Sequence, residues 1–129
     1  MIVGAGFIGQ EVAATARQAG AEVTIVEALA APLGPVLGEE VGRWLVDLHR
    51  GRDVQVLLSA RLSRAHGNGR VDELVLEDGR RLACDAVVVG IGVAPAADWL
   101  AGSGLEPEDR KSTRLNSSHS AKSRMPSSA

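Results

Sequence analysis

The chain has 129 residues, a single cysteine, 2% aromatic residues and a formal net charge of −2, which leaves room for one domain with a core of its own. Apolar runs such as AVVVGIGV are far too short to cross a bilayer, and the first residues lack the charged and apolar regions of a signal peptide. With no internal disulfide possible, we expect a cytoplasmic protein that does not span a membrane.

The chain begins with a short apolar segment and a glycine-rich motif. The sequence MIVGAGFIG places Gly4, Gly6 and Gly9 at the spacing GxGxxG. In a dinucleotide site the first glycine permits a tight turn, the second lets backbone approach a pyrophosphate, and the third lets a helix pack on the strand. A helix that starts near Phe7 would direct its free amides and positive dipole end at the phosphates, and Gly20 is placed to end it.

A second strand, EVTIVE, follows this helix and is rich in β-branched residues. It ends at Glu27, 18 residues after Gly9, where a carboxylate would bind the ribose hydroxyls of a dinucleotide. The alternatives are a purely structural glycine turn and a solvated acid at the end of a strand. Because strand, loop, helix, strand and acid follow in this order, the pattern favours dinucleotide binding.

The next segment predicts a helix of about Val36–Arg50, and Trp44 within it is expected to pack in the core. After it, VQVLL (Val54–Leu58) is predicted to be a buried parallel strand. The apolar residues that indicate the helix recur at helical spacing and are Leu37, Val41, Trp44, Leu45 and Leu48.

The pattern then changes to alternating residues with two hairpin turns, at Asn68-Gly69 and Asp78-Gly79. Together these segments predict a three-stranded antiparallel meander. The stretch AVVVGIGVAP follows as a second buried parallel strand that runs into a glycine-rich turn, and a short helix near Ala96–Ala101 is expected to close the domain. The histidines show no metal-ligand spacing, so we assign no metal site.

The last 21 residues differ in composition from the rest. Residues 1–108 hold no lysine and three serines, whereas residues 109–129 hold seven serines and five lysines or arginines. A nucleic-acid arm is one interpretation, but no aromatic residue is interleaved for stacking on bases, and we expect no nucleic-acid binding. DRKSTRLNSSH and SRMPSSA resemble the translation of a short-read sequencing adapter. We therefore treat 109–129 as a disordered, non-native tail and expect a fragment truncated at both ends, with part of the first strand missing.

Three stretches, VGAGFIGQEVAA, VTIVEALAAPLGPVLGEEVG and DAVVVGIGVAPAADWLAGSGLE, resemble the NAD-binding domain of FAD-dependent pyridine nucleotide-disulphide oxidoreductases. The resemblance is closest to the ferredoxin and rubredoxin reductase type and covers residues 1–108. It implies an α/β fold: a Rossmann-like parallel sheet flanked by helices, with the meander as its last crossover. It also implies that this NAD domain is inserted in an FAD domain, whose parts lie outside this chain.

The resemblance further implies that NADH lies over this domain and passes a hydride to FAD, which passes electrons to a ferredoxin or a rubredoxin. No residue is assigned as catalytic, and the isolated chain is expected to be inactive. The residues expected to bind the cofactor lie in the glycine loop, at the end of the second strand and in the turn after the last strand: Gly4, Gly6, Phe7, Ile8, Gly9, Glu11, Glu27, Ala28, Gly90, Ile91 and Gly92.

Two alternatives remain. The glycine motif could belong to an FAD-binding half, but such halves tend to end in ATG where this chain has Gly90-Ile91-Gly92. The chain could also be a stand-alone dinucleotide-binding fragment with no function of its own. For the cofactor itself we expect a preference for NAD over NADP, because residues 28–31 after Glu27 offer no cation for a 2′-phosphate.

Overall fold

A computed structural model of the chain describes residues 1–93. These residues form a four-stranded parallel sheet and a three-stranded antiparallel sheet. The predicted fold class, a Rossmann-like sheet flanked by helices with an antiparallel meander, is therefore confirmed. The predicted helix near Ala96–Ala101 and the tail at 109–129 lie outside the described residues.

The parallel sheet has the order β3-β2-β1-β7. Its strands are β1 (Ile2–Val3), β2 (Val23–Val26), β3 (Val54–Leu57) and β7 (Val88–Val89). The chain therefore leaves β1 toward one side of the sheet and returns to its other side with β7. In open α/β sheets such a reversal opens a crevice at the carboxyl ends of the strands, where ligands bind.

Helices α1 (Phe7–Gln18) and α3 (Glu39–Arg50) pack against the parallel sheet, α1 on β1 and β2 and α3 on β3. Gly20 follows the end of α1 with φ +87°, in the left-handed region that suits a glycine at a helix terminus. The fully or nearly buried side chains between helices and sheet form the main core: Ile2, Ala5, Ala13, Val23, Ile25, Val46, Val54 and Val56.

The predicted continuous helix of Val36–Arg50 is wrong. A short helix, α2 (Gly34–Leu37), ends at Gly38, and α3 begins at Glu39. Gly38 has φ +87° and ψ 153°, a conformation that cannot continue a helix.

The predicted core position of Trp44 is also wrong, because its side chain is 60% exposed. The stripe of α3 that faces the core consists of Gly42, Val46 and His49. A Cβ at position 42 would overlap the carbonyl oxygen of Pro32, so α3 approaches that segment through its glycine. Trp44 lies outside this buried stripe of α3.

The meander consists of β4 (Leu62–Gly67), β5 (Val71–Leu76) and β6 (Arg81–Ala83), in the order β4-β5-β6. Its hairpins turn at the two predicted glycine-containing positions. A second core joins it to the parallel sheet, and the buried members of that core are Val26, Ala60 and Leu76, with Met1, Leu57 and Leu82 partly buried around them.

The two strands predicted to be buried are only partly so. In β3, Val54 and Val56 are buried, but Gln55 between them is exposed. In β7 the exposed fraction of Val89 reaches 59%, because β7 has one neighbour, β1, in the described part of the sheet. Both strands are parallel to their neighbours, as predicted. No helix among residues 1–93 is long and apolar enough to cross a membrane.

Candidate functional site

The glycine loop joins β1 to α1 and packs against the end of β7. Gly4 has φ +97°, and a Cβ there would lie 2.5 Å from the carbonyl oxygen of Gly90. A Cβ at Gly9 would overlap the carbonyl oxygen of Gly4. Glycine is therefore required at both positions by contacts within the chain itself, and three of the predicted site residues, Gly4, Gly9 and Gly90, meet here.

Gly6 differs from these glycines, because its surroundings are open. The nearest heavy atom that a Cβ at this position would meet is the carbonyl oxygen of Gly90, 3.9 Å away. Its φ of −69° is accessible to any residue. Nothing within the described chain therefore demands a glycine at position 6, whereas a pyrophosphate that approaches the loop backbone would demand one.

The N-terminus of α1 offers free hydrogen-bond donors beside Gly6. The first helical hydrogen bond runs from the amide of Gln10 to the carbonyl of Gly6, at 3.0 Å. Within residues 1–93 the amides of Phe7, Ile8 and Gly9 have no acceptor, and no side chain caps the helix. Such amides and the positive end of the helix dipole bind phosphate groups. The loop and the first turns of α1, residues 4–16, contain no lysine or arginine, so the donors that this segment itself offers to an anion are backbone amides.

Glu27 lies at the end of β2, is 8% exposed and carries its carboxylate to the glycine loop. Its Oε2 accepts a hydrogen bond from the amide of Ala5 at 2.6 Å, and its Oε1 accepts one from the amide of Leu29 at 2.8 Å. Each carboxylate oxygen has a second lone pair. The carboxylate can therefore hold the loop and still accept hydrogen bonds from ribose hydroxyls.

Gln10 is a site residue that the sequence motif did not predict. It is 8% exposed, and its side-chain Nε2 donates to the carbonyl oxygen of Ala5 at 2.9 Å. It shares the inward face of α1 with Ala13. A polar residue at a core-facing helical position needs a hydrogen-bond partner. The polar residue at position 10, among the apolar residues on this face of α1, is the sequence signal that could have identified Gln10.

Other predicted site residues lie around the loop with exposed side chains. Phe7, Ile8 and Ile91 are large apolar residues that face solvent, and Ile91 is 75% exposed. Ala28 and Glu11 are also exposed. The structure therefore brings Gly4, Gly9 and Gly90 together and bonds Glu27 and Gln10 to the same loop through Ala5, whereas this second group is exposed.

The described residues contain no group of three His, Cys, Asp or Glu side chains that could hold a metal ion. Cys84 is a free, half-buried thiol just after β6. The site combines backbone amides that can donate, a buried carboxylate that can accept and an open glycine, and this set of groups fits an adenine dinucleotide.

The fold is that of a Rossmann-like α/β domain, with an antiparallel meander before its last parallel strand. The sequence profile of the pyridine nucleotide-disulphide oxidoreductase family matches residues 1–124. The chain belongs to this family, and its sequence is of the ferredoxin reductase type.

Three relatives support this assignment. The ferredoxin–NAD(+) reductase subunit of a benzene 1,2-dioxygenase system from Pseudomonas putida is 41% identical over 106 residues, which are 82% of this chain and 26% of that protein. A ferredoxin reductase structure from Rhodopseudomonas palustris is 40% identical with a TM-score of 0.78, over 82% of this chain and 26% of that one. A putidaredoxin reductase, solved in covalent complex with putidaredoxin, is 32% identical with a TM-score of 0.79, and the match covers 83% of this chain and 26% of that one. The chain spans about a quarter of the length of these relatives.

Proposed function

We propose that this chain is the NAD(H)-binding domain, residues 1–108, of an FAD-dependent ferredoxin or rubredoxin reductase. The observation that carries the proposal is the carboxylate of Glu27, buried at the end of β2 and hydrogen-bonded to the glycine loop. It stands beside an open Gly6 and the free amides of α1. An acceptor for ribose and donors for a pyrophosphate are thus held at one edge of the sheet.

In this proposal the chain's own residues bind and orient. The amides at the start of α1 hold the pyrophosphate, Glu27 accepts from the adenosine ribose, and Gly90-Ile91-Gly92 lies beside the nicotinamide. The exposed Phe7 and Ile8 shield the reacting rings from water. Hydride transfer from nicotinamide to flavin is chemistry that the two cofactors supply.

The family to which the chain belongs uses FAD and a pyridine nucleotide, and the Pseudomonas putida relative is named for ferredoxin and NAD(+). These names support NADH as the ligand of this domain and a ferredoxin-type acceptor for the parent protein. FAD would be bound by parts of the parent outside this chain. The second candidate is a stand-alone dinucleotide-binding fragment without a reaction of its own.

Titration of the full 129-residue chain with NADH, ADP-ribose and FAD tests the proposal, with amide chemical shifts as the readout. We expect NADH and ADP-ribose to shift the amides of the glycine loop and α1, and FAD to bind more weakly. Gly6→Ala should fold normally and lose NADH, because its Cβ fits the chain but occupies the pyrophosphate position. Tighter binding of FAD than of NADH, or equal binding of NADH to Gly6→Ala, would contradict the proposal.

A further inference from the structure

Gln10 has a buried polar side chain beside the glycine loop. It is not one of the residues that the GxGxxG motif specifies. Burying a primary amide costs free energy unless it is hydrogen-bonded. Here the bond from Nε2 goes to the carbonyl oxygen of Ala5, the residue between the first two glycines of the loop. The side chain thus contacts the segment that is proposed to approach the pyrophosphate.

Two buried side chains hold consecutive peptide groups of this loop. Glu27 accepts a hydrogen bond from the N–H of the peptide that joins Gly4 to Ala5. Gln10 donates to the C=O of the next peptide, which joins Ala5 to Gly6. A peptide is planar, and all peptide bonds of residues 1–93 are trans, so its N–H points opposite to its C=O. The bond to Gln10 therefore fixes the direction of the Gly6 amide.

We propose that Gln10 is a positioning residue that orients the amide of Gly6 toward the pyrophosphate of the dinucleotide. It acts through the peptide of Ala5 and Gly6 and does not itself touch the ligand. A donor that is already oriented needs no reorganisation when the ligand binds. The inference rests on the proposed function, because it assumes that the dinucleotide lies over this loop.

The hydrogen bond itself can be measured in the unsubstituted 129-residue chain. The side-chain amide protons of Gln10 should exchange with solvent at least about tenfold more slowly than those of Gln18, because only Gln10 is buried and bonded. Gln18 is the exposed last residue of the same helix and serves as the internal control. Equal exchange of the two side chains would overturn the proposal without any variant having to fold.

The role in binding is tested with Gln10→Met, which keeps the length of the side chain and removes the donor without adding a charge. We expect the affinity of this variant for NADH to be at least about fivefold lower than that of the unsubstituted chain, because one orienting hydrogen bond is lost. Its affinity for adenosine, which has no phosphate, should stay within about twofold of that of the unsubstituted chain. Gln18→Met is the matched control and should change neither affinity. A purely structural role of Gln10 would weaken both ligands alike.

The outcomes separate this inference from the proposed function. The positioning role is wrong if the unsubstituted chain binds NADH and Gln10→Met binds it with the same affinity. It is also wrong if the affinities of Gln10→Met for NADH and adenosine fall by the same factor. In both cases the proposed function stands. If the unsubstituted chain does not bind NADH, both are wrong.

Discussion

The backbone amide of Ala5 donates a hydrogen bond to Oε2 of Glu27, 2.6 Å away, although the two residues are 22 positions apart in the sequence. The acid at the end of β2 is therefore attached to the glycine loop by a hydrogen bond within the chain itself. Its orientation is set by two backbone amides, those of Ala5 and Leu29. A substitution of Glu27 changes both the proposed ribose acceptor and the support of the loop.

Cofactor choice should depend on Glu27. The 2′-phosphate of NADP would meet its carboxylate in a partly desolvated site, where like charges repel, and residues 28–31 provide no cation. We expect the chain to bind NADH at least about tenfold more tightly than NADPH. Glu27→Ala should weaken NADH binding more than NADPH binding, so that the ratio of the two affinities, measured by calorimetry, falls toward one.

Glu22→Gln is the control for the loss of one negative charge, since Glu22 is exposed just before β2. It should leave the ratio of the two affinities unchanged. Equal binding of NADH and NADPH by the unsubstituted chain would show that Glu27 does not select the cofactor.

Two glycines of the same motif should differ in how strongly alanine destabilises the chain. In Gly9→Ala the new methyl group overlaps the carbonyl of Gly4, and we expect the free energy of unfolding to fall by about 1–3 kcal/mol. In Gly6→Ala the methyl group enters open space at an allowed φ, and the entropy lost by the unfolded chain is offset by the poorer N-cap preference of alanine, so stability should change by less than about 1 kcal/mol. Urea denaturation of both variants provides the measurement, and equal stabilities would refute the packing described for the loop.

Stability should depend on pH through His49. Burial, and to a smaller extent the nearby charge of Arg52, lower the pKa of His49 below its ordinary value of 6.5. As the pH falls below 6.5, the unfolded state therefore takes up a proton on His49 more readily than the folded state does. The contribution of His49 to the free energy of unfolding is thus present above that pH and is lost as the pH falls toward the folded-state pKa.

We expect the free energy of unfolding to decrease between about pH 7.5 and pH 5.5, and His49→Gln to show a smaller decrease over the same range. His66→Gln is the control, because His66 is exposed on β4. An unchanged pH profile in His49→Gln would exclude this histidine as the cause.

The chain alone should not transfer electrons from NADH to a ferredoxin or a dye, even with FAD added. It spans about a quarter of the length of its relatives, and its described residues contain one glycine loop of the proposed dinucleotide-binding type. The proposed flavin site belongs to other parts of the parent protein. NADH oxidation can be followed by absorbance at saturating FAD, and turnover that persists in Gly6→Ala would point to a contaminating reductase. Turnover that disappears in that variant would show that the chain is itself the enzyme.

The features that the sequence predicted correctly are those with strong local patterns. The glycine loop, α1, β2 and the meander each follow from periodicity or turn residues within a few positions. The errors concern tertiary contacts. Trp44 has the helical spacing of a core residue, but the approach of Gly42 to Pro32 decides which face of α3 is buried. No pattern within α3 carries that information.

The candidate site also contains residues that the sequence motif identifies and contacts that only the structure shows. Gly4 and Gly9 are required by contacts within the chain, and together with Gly6 they stand at the GxGxxG spacing, so the motif identifies all three. The bond between Gln10 and Ala5 depends on the path of the loop after β1, which becomes visible only in three dimensions. Likewise, the valines of β7 predict a buried strand, but the burial of a strand depends on the elements that pack beside it in three dimensions.

The contact between Gly4 and Gly90 has a consequence for the order in which this domain forms during synthesis. β1 lies between β2 and β7, and the loop after β1 packs on the residue that follows β7. β1 can therefore complete its pairing only after the residues up to Val89 have been made. Contacts so distant along the chain close slowly. The helices and the meander can assemble earlier, so nascent chains arrested before β7 should remain open to proteases at the glycine loop.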